Sequence, residues 1–229
     1  MKLILYSFKQ KMIKGYIKGE KHMTEFWEEN FRENKTMWGF NPADSAVMVK
    51  DFFLKNNIKN ILIPGVGYGR NAKVFIDNCI NVTGIEISKT AIELAKDNGI
   101  NIKIYNGSVT DMPFDNELYD GIFCYAVIHL LDEESRKKFI KDCYNQLKPN
   151  GYMIFITVSK KDLFFKVGKS IGKDLVQITE GLNMFFYDAD SIKEDFGNYG
   201  LEEFVEIDEP NKPVPNKRSM KFIMIKCKK

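Results

Sequence analysis

The chain has 229 residues, 44% of them hydrophobic and 28% charged, which is enough to bury the core of one α/β domain and too little to suggest a second. No apolar stretch reaches the roughly 20 residues that span a bilayer, and Cys79, Cys124, Cys143 and Cys227 lie far apart with no C-x-x-C; a membrane span, a disulfide scaffold and a zinc site are not indicated, and the expected compartment is the cytoplasm. The net charge of +3 comes from a leader at 1–22, where Lys2, Lys9, Lys11, Lys14, Lys18 and Lys21 stand against Glu20 alone, so the slightly acidic remainder carries no electrostatic footprint for nucleic acid.

That leader is either a membrane-surface helix or foreign to the native protein. Gly15 and Gly19 interrupt any helix there, and Lys18-Gly19-Glu20 can be encoded by AAAGGAGAA, which resembles a ribosome-binding site ahead of Met23. A native start at Met23 is therefore expected, with 23–229 forming one domain.

The first strand, 61–63, breaks into Pro64-Gly65-Val66-Gly67-Tyr68-Gly69-Arg70. Alternate glycines let the backbone turn sharply and approach a ligand closely. Seventeen residues after the last of them, Glu86 stands near the end of the next strand, 82–87, where a carboxylate can accept both ribose hydroxyl protons. Further apolar runs at 100–105, 121–127 and 152–158 are nearly continuous, as suits a parallel sheet buried on both faces. Helical spacing falls between the strands, at Ala72, Phe75 and Ile76, then Ala91, Ile92 and Ala95, then Phe139, Cys143 and Leu147, and the alternation predicts a doubly wound fold. Ser88 and Asp132 are placed as N-caps, Glu133 and Glu134 favour the first turn behind Asp132, and Lys148-Pro149-Asn150-Gly151 ends that helix.

Residues 160–187 form an insertion that carries Phe164, Phe165, Phe185, Phe186 and Tyr187, with hinge glycines at Gly168 and Gly172. It is either a lid over the site or a satellite core under a long loop. A helix at 190–199, a strand at 201–207, a loop holding Pro210, Pro213 and Pro215, and a strand at 221–227 complete the chain.

The glycine spacing bears on the cofactor. A dinucleotide turn needs G-x-G-x-x-G, and its third glycine position is Arg70 here. The G-x-G-x-G turn with Glu86 resembles the class I S-adenosylmethionine-dependent methyltransferases, and in particular the small-molecule enzymes related to thiopurine, thiol and tellurite-resistance methyltransferases. The resemblance runs from Asn60 to about Val158 and, through the hairpin-ended tail, to the C-terminus. It implies a Rossmann-like, doubly wound seven-stranded sheet, mostly parallel with a C-terminal antiparallel hairpin strand. It also implies S-adenosyl-L-methionine as cofactor, a small-molecule acceptor and in-line methyl transfer.

Residue by residue, the resemblance implies that Gly65, Gly67 and Gly69 cradle the cofactor, that Glu86 and its neighbour Ile87 lie at the ribose, and that Arg70 meets the carboxylate. Ser108 and Val109, in Asn106-Gly107-Ser108-Val109-Thr110, would hold adenine, and Tyr125, in Tyr125-Ala126-Val127-Ile128-His129, would line the methionine half. Trp38 in Met37-Trp38-Gly39-Phe40 would lie over the sulfonium, whose charge an aromatic face attracts, or else pack on the segment before the fold. Two departures stand out: Ser108 occupies the place of an acid, and Ile63 and Pro64 stand where an acid precedes the first glycine. Tyr125, His129 and Tyr187 are the candidates for proton removal from an acceptor, with a structural histidine as the other reading of His129. The rivals are an NAD-dependent oxidoreductase and a non-catalytic S-adenosylmethionine-binding protein. Acceptor and oligomeric state stay open.

Overall fold

The computed structural model describes residues 20–212 and 218–229. The basic leader lies outside the described residues except for the backbone of 20–22, and Pro213 and Pro215 also lie outside them. Two helices, α1 (Glu20–Asn34) and α2 (Asp44–Lys55), precede β1 (Asn60–Pro64). Then follow α3 (Ala72–Ile76), β2 (Asn81–Glu86), α4 (Lys89–Asp97), β3 (Lys103–Asn106), β4 (Tyr119–Tyr125), α5 (Glu133–Asn145) and β5 (Leu147–Val158). After an insertion come α7 (Ala189–Phe196), β9 (Leu201–Glu209) and β10 (Met220–Lys228).

The seven strands lie in the order β3-β2-β1-β4-β5-β10-β9. The first five pair in parallel, and β10 runs antiparallel to both β5 and β9. The doubly wound sheet with one reversed hairpin strand is thus present as expected. Strand order reverses between β1 and β4, which opens the crevice at the carboxyl ends where open α/β sheets bind ligands.

The central strands β1, β4 and β5 bury both faces, which is why their sequences are runs and not alternations. Ile61, Ile63, Phe123, Ile154 and Ile156 meet Ala46, Val49 and Phe53 of α2 and Phe75 of α3 in one core. Leu62, Ile122, Cys124 and Phe155 meet Phe139, Ile140 and Cys143 of α5 and Ile192 and Phe196 of α7 in the other. The capping expectations hold: Ser88 accepts from the Ala91 N–H and Asp132 from the Ser135 N–H.

Three boundaries differ from the sequence expectation. The run predicted at 100–105 becomes strand only at Lys103, because the Ile100 N–H closes the end of α4 on the Ala95 carbonyl at 2.9 Å. The run predicted at 121–127 leaves the sheet after Tyr125, since Ala126 has a left-handed φ of 59°. The turn at Lys148-Pro149-Asn150-Gly151 does not end a helix; α5 has already stopped at Asn145, and the turn is an irregularity within β5 with Asn150 at φ 66°.

The insertion holds a short helix, α6 (Leu163–Val167), and three strands, β6 (Lys169–Gly172), β7 (Leu175–Thr179) and β8 (Leu182–Phe185), paired antiparallel in that order. Val176, Met184 and Phe186 join the first core, and a single parallel bridge between Ser159 and Tyr187 ties the insertion's base to the end of β5. Its helix is capped by Asp162, a fully buried carboxylate that also accepts from the Lys221 N–H at 2.8 Å and pairs with Arg218.

Candidate cofactor and active site

The turn after β1 is fixed by hydrogen bonds before any ligand is considered. The N–H groups of Gly65 and Val66 donate to the Ile85 carbonyl at 2.8 and 3.0 Å, and the Gly67 N–H donates to Glu86 Oε2 at 2.8 Å. Gly65, Gly67 and Gly69 all have positive φ, at 70°, 57° and 81°, where an L side chain is strained. A Cβ on Gly65 would lie 2.3 Å from Val127 Cγ2, so the loop after β4 closes directly on this turn.

Glu86 ends β2 facing the same crevice and is only 5% exposed. Its second oxygen, Oε1, accepts from the Ser88 N–H at 2.9 Å. Burial pushes its carboxyl above the ordinary range, and the hydrogen bonds from Ser88 and Gly67 oppose that push. Each oxygen has a further lone pair for a ligand hydroxyl. Asn106, at the end of β3, holds the same loop by donating to the carbonyls of Glu86 and Ile87 at 3.0 and 3.1 Å. Asn106 opens the segment quoted for the resemblance, but no role was assigned to it; its position at the carboxyl end of a strand was the available signal.

Ser108 caps a short turn, accepting from the Thr110 N–H at 3.2 Å and sharing a 2.7 Å contact with the Thr110 hydroxyl. Val109 behind it is buried in the second core. On the other side of the crevice, Arg70 donates to the Trp38 carbonyl at 3.1 Å, and its guanidinium carbon lies 5.9 Å from the Tyr125 ring centroid. Trp38 stacks nearly parallel on Tyr68 at 6.2 Å, its backbone N–H donates to the Tyr68 hydroxyl, and 48% of the residue stays exposed. Gly65, Gly67, Arg70, Glu86, Trp38 and Tyr125 are thereby gathered around the carboxyl ends of β1, β2 and β4.

Residues 62–155 match the family model described as a methyltransferase domain. That stretch of the chain is thus similar to a methyltransferase domain, and it lies within a sheet of the class I methyltransferase order. Among curated relatives of this domain, the ubiquinone biosynthesis O-methyltransferase of Rickettsia canadensis is 30% identical over 112 residues, 47% of this chain and 46% of that protein. Thiocyanate methyltransferase 1 of Brassica oleracea is 29% identical over 133 residues, 56% of this chain and 59% of that protein. The chain thus spans about half the length of the curated relatives it matches. The Burkholderia thailandensis 1,6-didemethyltoxoflavin-N1-methyltransferase, solved with 1,6-didemethyltoxoflavin and S-adenosylhomocysteine, shares the methyltransferase fold at a TM-score of 0.70 and 12% identity, over 95% of this chain and 93% of that one.

Two of the proton-removal candidates are buried side chains. Tyr187 has no exposed surface, and its hydroxyl donates to Asp195 at 2.9 Å inside the second core. Burial, with Asp195 alongside, holds its phenol well above the ordinary range. His129 is 4% exposed, its Nδ1 lies 3.3 Å from the Thr157 hydroxyl, and burial lowers its pKa to about 3. Each of these two rings is packed, with the Tyr187 hydroxyl and the His129 Nδ1 engaged inside the fold, which counts against either as a general base. Tyr125 remains at the site, partly buried and stacked 6.1 Å from Phe222, with burial again raising its phenol.

Proposed function

We propose that this protein is an S-adenosyl-L-methionine-dependent methyltransferase that acts on a small molecule. The observation that carries the reading is the Glu86 carboxylate at the end of β2, held by the Gly67 N–H of a three-glycine turn at the sheet's switch point. The residues present fit the cofactor: a cradle that a Cβ would fill, a fixed carboxylate for two ribose hydroxyls, and Arg70 for a carboxylate tail. Ile87, Ser108 and Val109 are assigned to the adenosine side and Trp38 to the sulfonium side. When bound, the cofactor supplies an electrophilic methyl group.

The chain's own task is then to hold an acceptor in line with that methyl and to keep water out. Tyr125 orients the acceptor and does not deprotonate it, because its phenol is raised away from neutral pH. Residues 160–187 cover the acceptor side, a role supported by β8 lying against the turn at Ile128–Leu130 just past β4. A small acceptor is supported by the near-neutral body of the sequence, which has no basic face for nucleic acid. Among the described residues no helix is long and apolar enough to cross a membrane. The free thiols fit the reducing cytoplasm.

Calorimetry with S-adenosylmethionine and S-adenosylhomocysteine, followed by tritiated methyl transfer to thiol, amine, phenol and tRNA panels, tests the reading. Saturable binding of both and label in a small acceptor is the expected result. Binding of NAD in place of either compound would overturn it.

A further inference from the structure

No residue of helix α1 is assigned to the cofactor, yet two residues one turn apart on it reach both loops of the cofactor crevice. Glu28 accepts from the Ser88 hydroxyl at 2.7 Å, the Thr90 hydroxyl at 2.5 Å and the Thr90 N–H at 3.3 Å. Its charge thereby sits at the N-terminus of α4, where the helix dipole favours an anion. Three residues further on, Phe31 is 4% exposed, and its Cζ lies 3.8 Å from where a Cβ on Gly67 would stand. The same ring packs edge-on against Tyr68 at 6.2 Å.

These two contacts fall on the two backbone groups that hold the Glu86 carboxylate. Oε1 of Glu86 is held by Ser88, the residue that Glu28 holds. Oε2 is held by Gly67, the residue that Phe31 covers. Ser88 has no slack left, since its hydroxyl donates to Glu28 while accepting from the Ala91 N–H at 3.1 Å. Catalytic and binding groups lose much of their value when displaced by about 1 Å, so the residues behind them matter as much as the groups themselves.

We infer that Glu28 is a positioning residue for ribose recognition, fixing through Ser88 the place at which Glu86 meets the cofactor's hydroxyls, with Phe31 setting the facing glycine turn. The inference rests on the cofactor reading above and adds to it a determinant from residues not assigned to the site. A carboxylate that accepts a ribose hydroxyl contributes about tenfold or more in affinity. That contribution needs the hydroxyl, which separates positioning from general support of the fold.

The test is calorimetry of S-adenosylhomocysteine against its 2′-deoxyribose analogue, on the full chain and on Glu28→Gln. Wild type is expected to prefer the ribose compound about tenfold or more. Glu28→Gln should lose most of that preference by weakening S-adenosylhomocysteine, while the deoxy analogue changes by less than about twofold. Ser88→Ala, which cuts the same link at its other end, should show the same pattern and decides the matter if Glu28→Gln fails to fold by circular dichroism. Equal weakening of both compounds, an unchanged preference in the variants, or no preference in wild type would overturn the inference. A wild-type protein that binds neither compound refutes the cofactor reading itself, and the inference with it.

Discussion

At the scale of single residues, the glycines of the first turn are not equivalent. Gly65 combines a φ of 70° with a would-be Cβ 2.3 Å from Val127 Cγ2, whereas Gly67, at φ 57°, has nothing nearer than Phe31 Cζ at 3.8 Å. Gly65→Ala therefore meets backbone strain and a collision with a stiff β-branched side chain, and Gly67→Ala meets strain alone. Urea melts should put Gly65→Ala about 2–3 kcal/mol below wild type and Gly67→Ala about 1 kcal/mol below. Equal losses would mean that Val127 swings aside. The glycines and Glu86 were legible in the sequence because turn and acid are local signals at a set spacing. Glu28, Phe31 and Asn106 were not, because each acts across the fold on a residue far along the chain, and nothing in the composition of α1 marks which face it turns inward.

At the scale of elements, the meeting of α5, α7 and β8 depends on one buried charge cluster. Arg136 on α5 approaches Asp195 on α7 at 3.4 Å with both side chains nearly inaccessible, donates to the Leu131 carbonyl, and lies 3.7 Å over the Phe185 ring of β8. Asp195 also accepts from Tyr187. Asp195→Ala leaves the guanidinium buried without its counter-charge and should lower stability by about 3–5 kcal/mol. Tyr187→Phe removes one hydrogen bond to the same carboxylate and should cost about 1–2 kcal/mol with methyl transfer retained. A Tyr187→Phe variant of unchanged stability and no activity would return that hydroxyl to the reaction. The small sheet that holds Phe185 was hidden in the sequence, where only aromatic residues and hinge glycines stood out. Its strands are short and half-exposed, and the available signal was Gly181, at φ 78°, in the turn between the runs at 175–179 and 182–185. Helix α2 was missed as well, and part of its N-terminus is held from far away, by Glu209 accepting from the N–H groups of Asp44 and Ser45 at 2.8 and 3.1 Å.

At the scale of the molecule, burial on both faces of the central sheet is what made the fold readable, and the same burial predicts how the protein responds to acid. His129 sits between the end of β4 and Thr157 of β5, neutral inside the fold, with burial lowering its pKa from 6.5 to about 3. In the unfolded chain the ring takes up its proton near the ordinary value. A folded pKa below the unfolded one contributes stability that is present above pH 6.5 and is lost as pH falls toward 3. The loss should reach about 2 kcal/mol by pH 5, at about 1.4 kcal/mol per unit. Glu86 acts in the opposite sense, because its carboxyl is pushed up by burial and acid relieves it. Asp188, held near 2 against burial by its hydrogen bonds to Lys160 and Ser191, adds its own loss only below 3.8. Comparing wild type with His129→Gln isolates the histidine from both. Urea melts between pH 7.5 and 5 should show wild type losing stability faster than the variant, with the gap changing by about 2 kcal/mol. A gap that stays constant across that range would mean that the ring takes up its proton within the fold, and that solvent reaches the crevice beneath β8.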